Sequence, residues 1–162
     1  MSRQAPGSEE PPVRGITIRE MEEKDILQVA EIEKASIQQP WTKESFEEAA
    51  FLPHTLFLAA EENGQVLGYI GCYFSFEDAE ISGIAVKKDQ RRRGVGDLLL
   101  YGAERLLAEK GVKRVVLEVR RSNTGAQAFY GKNGFEKIGE RKGMYDFPKE
   151  DAFVMEKREE ND

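Results

Sequence analysis

The 162-residue sequence contains one cysteine, one histidine and no long apolar run. Cys72 alone cannot form an internal disulfide, and with His54 as the only histidine a Cys/His metal site cannot be assembled. We therefore expect no metal cofactor and interpret both residues as structural. No apolar stretch approaches the roughly 20 residues needed to cross a bilayer, so no membrane segment is expected.

The two ends of the chain also lack the features of folded structure. Residues 1–15 are polar and contain three prolines and two glycines, without the apolar stretch of a secretory signal peptide. This composition predicts a flexible lead-in, and residues 158–162 are predicted to form a polar tail. Residues 16–157 have the length of a single domain, and a cytoplasmic protein is expected.

An excess of basic residues is also missing. The formal net charge is −6, from 30 acidic and 24 basic residues. Because phosphate neutralisation dominates affinity for nucleic acids, this balance argues against direct nucleic-acid binding. It suits a cationic substrate or a basic protein tail better. We expect a monomer or a weak dimer.

Apolar periodicity and turn residues predict a mixed α/β (α+β) fold. Strands are predicted at residues 16–19, 55–60, 65–76, 80–86, 112–119, 135–141 and 152–157. Helices are predicted at residues 25–36, 43–50, about 94–111 and 123–133. Asn63-Gly64 predicts a tight hairpin. In residues 112–119, β-branched residues stand at both even and odd positions, which predicts a central strand covered on both faces. The element order predicts a mostly antiparallel sheet of six to seven strands with about four helices on its faces.

The segment after the strand Ile84-Ala85-Val86 has the features of an anion cradle. It reads Arg91-Arg92-Arg93-Gly94-Val95-Gly96 and leads directly into a helix. Glycines allow successive backbone amides to converge, and the first turn of a helix offers unpaired donors at its positive end. Three arginines would add positive charge where two phosphates would lie.

Other phosphate motifs do not fit this segment. A Walker loop needs Gly-Lys-Ser/Thr, which is absent, and a dinucleotide fingerprint needs Gly or Ala where Leu99 stands. A solvated basic loop with flexible glycines is the remaining alternative, and the residues alone leave it open.

Several motifs together resemble the GNAT superfamily of acetyltransferases. Arg91-x-x-Gly94-x-Gly96 is similar to the family's Gln/Arg-x-x-Gly-x-Gly/Ala signature. Further blocks look like those of the RimI branch, the ribosomal-protein-alanine N-acetyltransferases. These blocks are Pro40-Trp41, Leu117-Glu118-Val119-Arg120-Arg121-Ser122-Asn123, Ala128-Phe129-Tyr130 and Asn133-Gly134-Phe135. The resemblance covers about residues 16–157 and implies the GNAT fold with acetyl-CoA as cosubstrate.

The resemblance implies which residues hold coenzyme A. Loop amides of residues 91–97, which include Asp97, would bind the pyrophosphate. The strand Ile84-Ala85-Val86 would pair with the pantetheine arm and supply a backbone donor to the thioester carbonyl. Asn123 would contact coenzyme A, although an asparagine there is also a good helix cap.

By the same resemblance, Glu118 is the general base, directly or through a water, and Tyr130 is the general acid. Apolar neighbours of Glu118 would raise its pKa toward a useful range, but a strand glutamate paired with Arg120 or a neighbouring strand is the alternative. A phenol is a weaker acid than a thiol, so a hydrogen bond from Tyr130 is expected to suffice, and a core aromatic is the alternative. Trp41 and Tyr145 would line the acceptor pocket, with Trp41 equally able to anchor the core.

The chemistry of the amine favours an N-terminal acceptor. A peptide α-amino group is roughly 10 to 20% neutral at pH 7, whereas a lysine is about 0.04% neutral. The resemblance likewise implies acetylation of a protein N-terminus, with a ribosomal protein as the expected substrate. Alternatives are a GNAT enzyme for lysine side chains or small amines, a non-catalytic coenzyme A binding module, and an interaction domain whose arginines bind an acidic partner.

Overall fold

A computed structural model describes residues 15–159 and contains all the predicted strands and helices. Strands β1 to β7 are Thr17–Glu20, Thr55–Glu62, Gln65–Ser75, Asp78–Val86, Arg114–Arg120, Glu136–Tyr145 and Glu150–Arg158. Helices α1 to α4 are Ile26–Ser36, Lys43–Ala49, Val95–Glu109 and Thr124–Lys132. Two short 3-10 turns, Glu23–Asp25 and Lys88–Gln90, were not predicted. Residues 1–14 of the predicted lead-in and 160–162 of the predicted tail lie outside the described range.

The strands form one sheet in the order β1-β2-β3-β4-β5-β7-β6. The β4–β5 pair is parallel and the other neighbouring pairs are antiparallel. This arrangement confirms the predicted mixed, mostly antiparallel sheet. The β2–β3 hairpin turns at Asn63 and Gly64, both with positive φ (52° and 80°), as a two-residue type I′ turn requires.

Helices cover the two faces of the sheet unequally. Helices α3 and α4 pack one face, where Leu99, Leu107 and Leu117 are almost completely buried. Helices α1 and α2 pack the opposite face over β2 to β4 and bury Phe46 and Phe57. Burial of each such side chain contributes about 1.5–3 kcal/mol to folding.

The prediction that the central strand is covered on both faces is wrong. Val115, Leu117 and Val119 of β5 are buried under α3 and α4, whereas the alternate residues, including Glu118 and Arg120, are only partly buried on the other face. The β-branched residues that suggested two covered faces include Val112, which precedes the strand, and Val116, which is half-buried. On the face that α1 and α2 cover over β2 to β4, β5 therefore presents partly exposed polar side chains.

Strand β6 is longer than predicted and reaches Tyr145, which sequence periodicity placed in a loop. It pairs with β7 through register irregularities between Lys137 and Gly139 and between Arg141 and Tyr145. The strand is largely exposed at the sheet edge, so it needs backbone pairing but few apolar side chains. Within the described residues, no helix is long and apolar enough to cross a membrane.

Candidate active site

The site is organised by a gap between β4 and β5. Their parallel pairing covers only Asp78–Arg114, Ala79–Val115 and Glu80–Val116. Beyond Glu80, β4 continues to Val86 paired with β3, and β5 continues to Arg120 paired with β7. The two strands therefore separate, and the edge of β4 that faces β5 has no strand partner among residues 15–159.

A bulge in β4 lies where this separation begins. The β3–β4 register shifts so that Cys72 pairs with Ile81 and Gly71 with Gly83, which leaves Ser82 as an extra residue. The Ser82 hydroxyl donates to the Gly71 carbonyl at 3.1 Å and holds the bulge. Bulges bend a strand and increase its twist, so this one helps β4 diverge from β5.

Backbone amides converge at the end of β4. Arg92 and Gly94 have φ of 69° and 82°, and Gly94 is the residue that precedes α3. The Leu98 amide donates to the Gly94 carbonyl at 3.0 Å, which is the first hydrogen bond of α3. Amides 92–97 have no acceptor among residues 15–159. Left-handed residues beside a helix N-terminus form an anion-binding nest, so the cradle fits a pyrophosphate.

Two of the three arginines are less available than the sequence suggested. Arg91 donates to the Val86 carbonyl and to the Ser36 hydroxyl, both at 3.0 Å. Arg93 forms a two-pronged ion pair with Glu62 at 2.9 Å. These two side chains join the cradle to neighbouring elements. The expectation that all three arginines add charge beside the phosphates stays a prediction. Arg92 is exposed.

Other predicted cofactor residues also have structural contacts. Val95 is buried in the core, and Asp97 accepts from Asn133 at 3.1 Å, which joins α3 to α4. Asn123 accepts from the Ala126 amide at 3.0 Å, so its role as a helix cap is present. A Cβ on Gly96 would lie 3.2 Å from the Phe129 ring, so a small residue is needed there. What these positions can offer a cofactor is mainly backbone.

Glu118 extends from β5 on the face opposite α3 and α4. Its side chain is 19% exposed, and Oε2 accepts from Arg141 of β6 at 2.6 Å. An isolated carboxylate among apolar neighbours was expected, and the structure instead shows an ion pair that crosses over β7. The sequence also left open a pairing with Arg120 or with a neighbouring strand. Pairing with Arg120 is not observed, because Arg120 bonds elsewhere. Pairing across strands is observed, with Arg141 of β6 as the partner.

Tyr130 approaches the gap from the other face. Its ring is 5% exposed and lies 5.1 Å from the Phe129 ring and 5.4 Å from the Phe135 ring, centroid to centroid. Burial raises the pKa of Tyr130, and nearby Cys72 and Tyr145 raise it further. The phenol therefore stays protonated and able to donate.

Trp41 belongs to an aromatic cluster, which agrees with its alternative role as a core anchor. Its ring centroid lies 5.3 Å from that of Phe46 and 6.1 Å from that of Phe57, and the residue stays half-buried. The Trp41 amide donates to Glu33 at 3.1 Å, and the Tyr69 hydroxyl donates to the same carboxylate at 2.8 Å. Burial raises the pKa of Glu33 despite these two donors.

Tyr145 lies close to both predicted catalytic residues. It is half-buried, and its pKa is raised by burial and then by the charge of Glu118. The guanidinium of Arg120 lies 4.4 Å from its ring centroid. Tyr145 also raises the pKa of Tyr130. The structure thus brings Glu118, Tyr130 and Tyr145 to one region.

Three polar residues of this region were missed as site residues. They are Arg120, Arg141 and Glu80. Glu80 is exposed as a residue, yet packing around its carboxyl and the charge of Glu118 raise its pKa. Their positions on β4, β5 and β6 depend on which strands are neighbours, so sequence spacing did not reveal them. The one sequence signal was the spacing of Glu118 and Arg120, which places both side chains on the same face of a strand.

Comparison with known proteins agrees with this geometry. Residues 26–135 match the Acetyltransferase (GNAT) family. That match includes the separated strands, the cradle and Tyr130. The fold and the match define an acyltransferase, and the chain belongs to the GNAT family of acetyltransferases.

Within the family, the chain is similar to ribosomal-protein-alanine N-acetyltransferases of the RimI type. A Bacillus subtilis protein provisionally named as ribosomal protein bS18-alanine N-acetyltransferase is 40% identical over 85% of this chain and 92% of its own length. The Haemophilus influenzae protein of that name is 33% identical over 85% of this chain and 95% of its own length. The crystal structure of the ribosomal-protein-S18-alanine N-acetyltransferase from Escherichia coli superposes on this chain with a TM-score of 0.83. The two sequences are 28% identical, over 91% of this chain and 96% of that chain.

The cradle can be tested through its backbone. We expect Gly94→Ala to raise the KM for acetyl-CoA about tenfold and to lower stability by about 1–2 kcal/mol, because an L-residue is strained at φ 82°. Steady-state kinetics and thermal unfolding measure both effects. Gly64→Ala is the matched control, since Gly64 has φ 80° in an open turn. An equal change in KM for both variants would contradict the assignment.

Proposed function

We propose that this protein transfers the acetyl group of acetyl-CoA to the α-amino group of a protein N-terminus, with a ribosomal protein as the substrate. The observation that carries the proposal is the gap between β4 and β5, with an amide cradle at one end and Glu118 beside it. The names of the RimI-type relatives support the same substrate class.

The donor site is made mainly of backbone. Amides of residues 92–97 would bind the pyrophosphate, and the edge of Ile84–Val86 that faces the gap would bond the pantetheine amides as an added strand does. An amide of that edge would stabilise negative charge on the thioester oxygen. Acetyl-CoA supplies an acetyl group activated as a thioester. We expect a cytoplasmic location.

Glu118 is proposed as the base that takes a proton from the attacking amine. It lies on the polar face of the sheet, and Tyr130 packs against the helix-covered face. An acceptor can therefore approach from the polar face while the donor lies along β4. Arg141 holds the Glu118 carboxylate in place through Oε2, which leaves Oε1 for the amine or an intervening water.

Tyr130 is proposed to donate a hydrogen bond to the sulfur as the carbon–sulfur bond breaks. Its raised pKa makes complete proton transfer less favourable than for an ordinary phenol. A neutral hydroxyl can still stabilise a thiolate by donating a hydrogen bond. Hydrogen bonding is therefore the role that this environment favours.

The acceptor assignment is tested with a panel of amines. We expect wild-type protein to acetylate hexapeptides that begin with Ala, including ribosomal protein N-termini, at the α-amino group. Mass spectrometry with fragmentation locates the added acetyl. Peptides with a blocked N-terminus and an internal lysine, and free polyamines, are the controls. Acetylation confined to lysine or polyamine would overturn the N-terminal assignment.

The base is tested by Glu118→Gln. We expect kcat to fall about 10²- to 10⁴-fold near pH 7, with little change in the KM for acetyl-CoA. The loss of kcat in Glu118→Gln should become smaller above pH 9, where the α-amine is already neutral. Glu156→Gln is the control, because Glu156 pairs with Arg114 on the same polar face.

A second variant separates catalysis from packing. Arg141→Gln breaks the same ion pair but keeps the carboxylate of Glu118. If Arg141→Gln reproduced the whole loss and its pH profile, Glu118 would be a structural partner of Arg141 and not the base.

The donor role of Tyr130 is tested by Tyr130→Phe. We expect kcat to fall about tenfold to a hundredfold, the effect of one hydrogen bond to a charged acceptor. Because the pKa of Tyr130 is raised, wild-type kcat should show no alkaline fall from its ionisation below about pH 10. Phe135→Leu is the packing control. A loss beyond about 10⁴-fold would indicate obligatory proton transfer instead.

A further inference from the structure

Arg120 ends β5 two residues after Glu118, on the same face of the strand. Its side chain is only 13% exposed. Neither the binding of acetyl-CoA nor the proton transfers described above uses it. An arginine that is mostly withdrawn from water beside a reaction site needs an explanation.

The guanidinium of Arg120 joins both segments that flank the acceptor side. It donates to the main-chain carbonyls of Asp146 at 3.2 Å and Pro148 at 3.1 Å, in the loop between β6 and β7. It also lies 4.4 Å from the ring centroid of Tyr145 at the start of that loop. A longer contact, 3.4 Å, reaches the Gln39 side chain between α1 and α2.

Glu150 completes the arrangement. One of its oxygens accepts from Arg120 at 3.1 Å, and the other accepts from the Ser122 amide at 2.5 Å. The end of β5, the start of β7 and the turn before α4 are thereby linked to the same guanidinium. Ser122 donation and the Arg120 ion pair lower the pKa of Glu150, so it stays ionised.

Only an arginine can make this set of contacts. Its planar fork has five donors and can stack on an aromatic ring while it bonds two carbonyls and a carboxylate. A lysine has a single ammonium, which can keep the ion pair with Glu150 but cannot span the loop. The contacts to main-chain carbonyls make the loop conformation depend on the guanidinium and not on loop side chains.

Arg114 shows that this is not a general property of arginines on this face. It begins the same strand on the same face and pairs with Glu156 of β7, as Arg120 pairs with Glu150. It contacts Asp78 as well but neither acceptor loop. The two arginines differ in what they hold, so one can serve as a control for the other.

We propose that Arg120 is a positioning residue that holds the β6–β7 loop and the Gln39 segment in the form that recognises residues following the acceptor amine. The inference rests on the proposed acetylation of protein N-termini. A long acceptor needs these loops, whereas a minimal α-amine needs only Glu118 and the bound thioester. Arg120 therefore acts on acceptor selection and not on the transfer itself.

The test compares a hexapeptide that begins with Ala and alanine amide as acceptors. In Arg120→Gln, kcat/KM for the hexapeptide should fall at least about tenfold, mainly through KM, because two carbonyl contacts and a stacked ring are lost. The KM for acetyl-CoA and kcat/KM for alanine amide should change less than about twofold. Arg120→Lys should recover part of the hexapeptide activity, because it keeps the ion pair.

Arg114→Gln is the control and should leave the ratio between the two acceptors unchanged. Amide hydrogen exchange of residues 146–150 is a second measurement, which still reports on the loop if Arg120→Gln lowers the stability of the protein. Exchange should quicken there in Arg120→Gln while β5 stays protected. Equal losses for both acceptors, or unchanged exchange in the loop, would overturn the role of Arg120.

The same experiment separates this inference from the function on which it rests. Wild-type protein that acetylates neither the hexapeptide nor alanine amide, but does acetylate lysine, would overturn the proposed function and this role with it. Wild-type activity on both acceptors, with no change of their ratio in Arg120→Gln, would overturn only the role of Arg120.

Discussion

The early end of pairing between β4 and β5 is the constraint on which the site depends. Three residue pairs hold the strands together, and beyond Glu80 each strand keeps only its outer neighbour. Unpaired backbone in the middle of a sheet is costly unless something bonds it, so the open edge of β4 needs water or a ligand as its partner. Within the diverging part of β4, Gly83 leaves room for the Tyr69 hydroxyl, because a Cβ there would lie 2.6 Å from that oxygen, which donates to Glu33.

The proposed anion cradle uses most of the charges of its basic segment for contacts within the chain. Arg91 and Arg93 bond Val86, Ser36 and Glu62, and these contacts hold the turn against β4, α1 and β2. The amides are then preorganised, and their dipoles at the start of α3 attract negative charge at little further entropic cost. Arginines in this segment therefore stabilise a backbone geometry, a role that the charge pattern alone does not distinguish from phosphate contact.

Most of the fold could be predicted from the sequence because local signals and tertiary structure agree. Asn63-Gly64, for example, corresponds to the observed turn between β2 and β3. The candidate site was less predictable, because its ion pairs join strands that are distant in the chain. Glu118 meets Arg141 only because β7 inserts between β5 and β6, and a motif comparison contains no information on that pairing.

The proposed donor and acceptor sides of the site are built by different means. The proposed donor side consists mainly of backbone from β4 and the start of α3. The acceptor side depends on a few charged side chains: Glu33 bonds the Trp41 amide, and Arg120 bonds the loop after Tyr145. Substituting one such side chain can reshape a loop while the cradle stays intact. A shared fold with divergent acceptors is the expected consequence, because the groups proposed to select the amine are separate from those proposed to hold the cofactor.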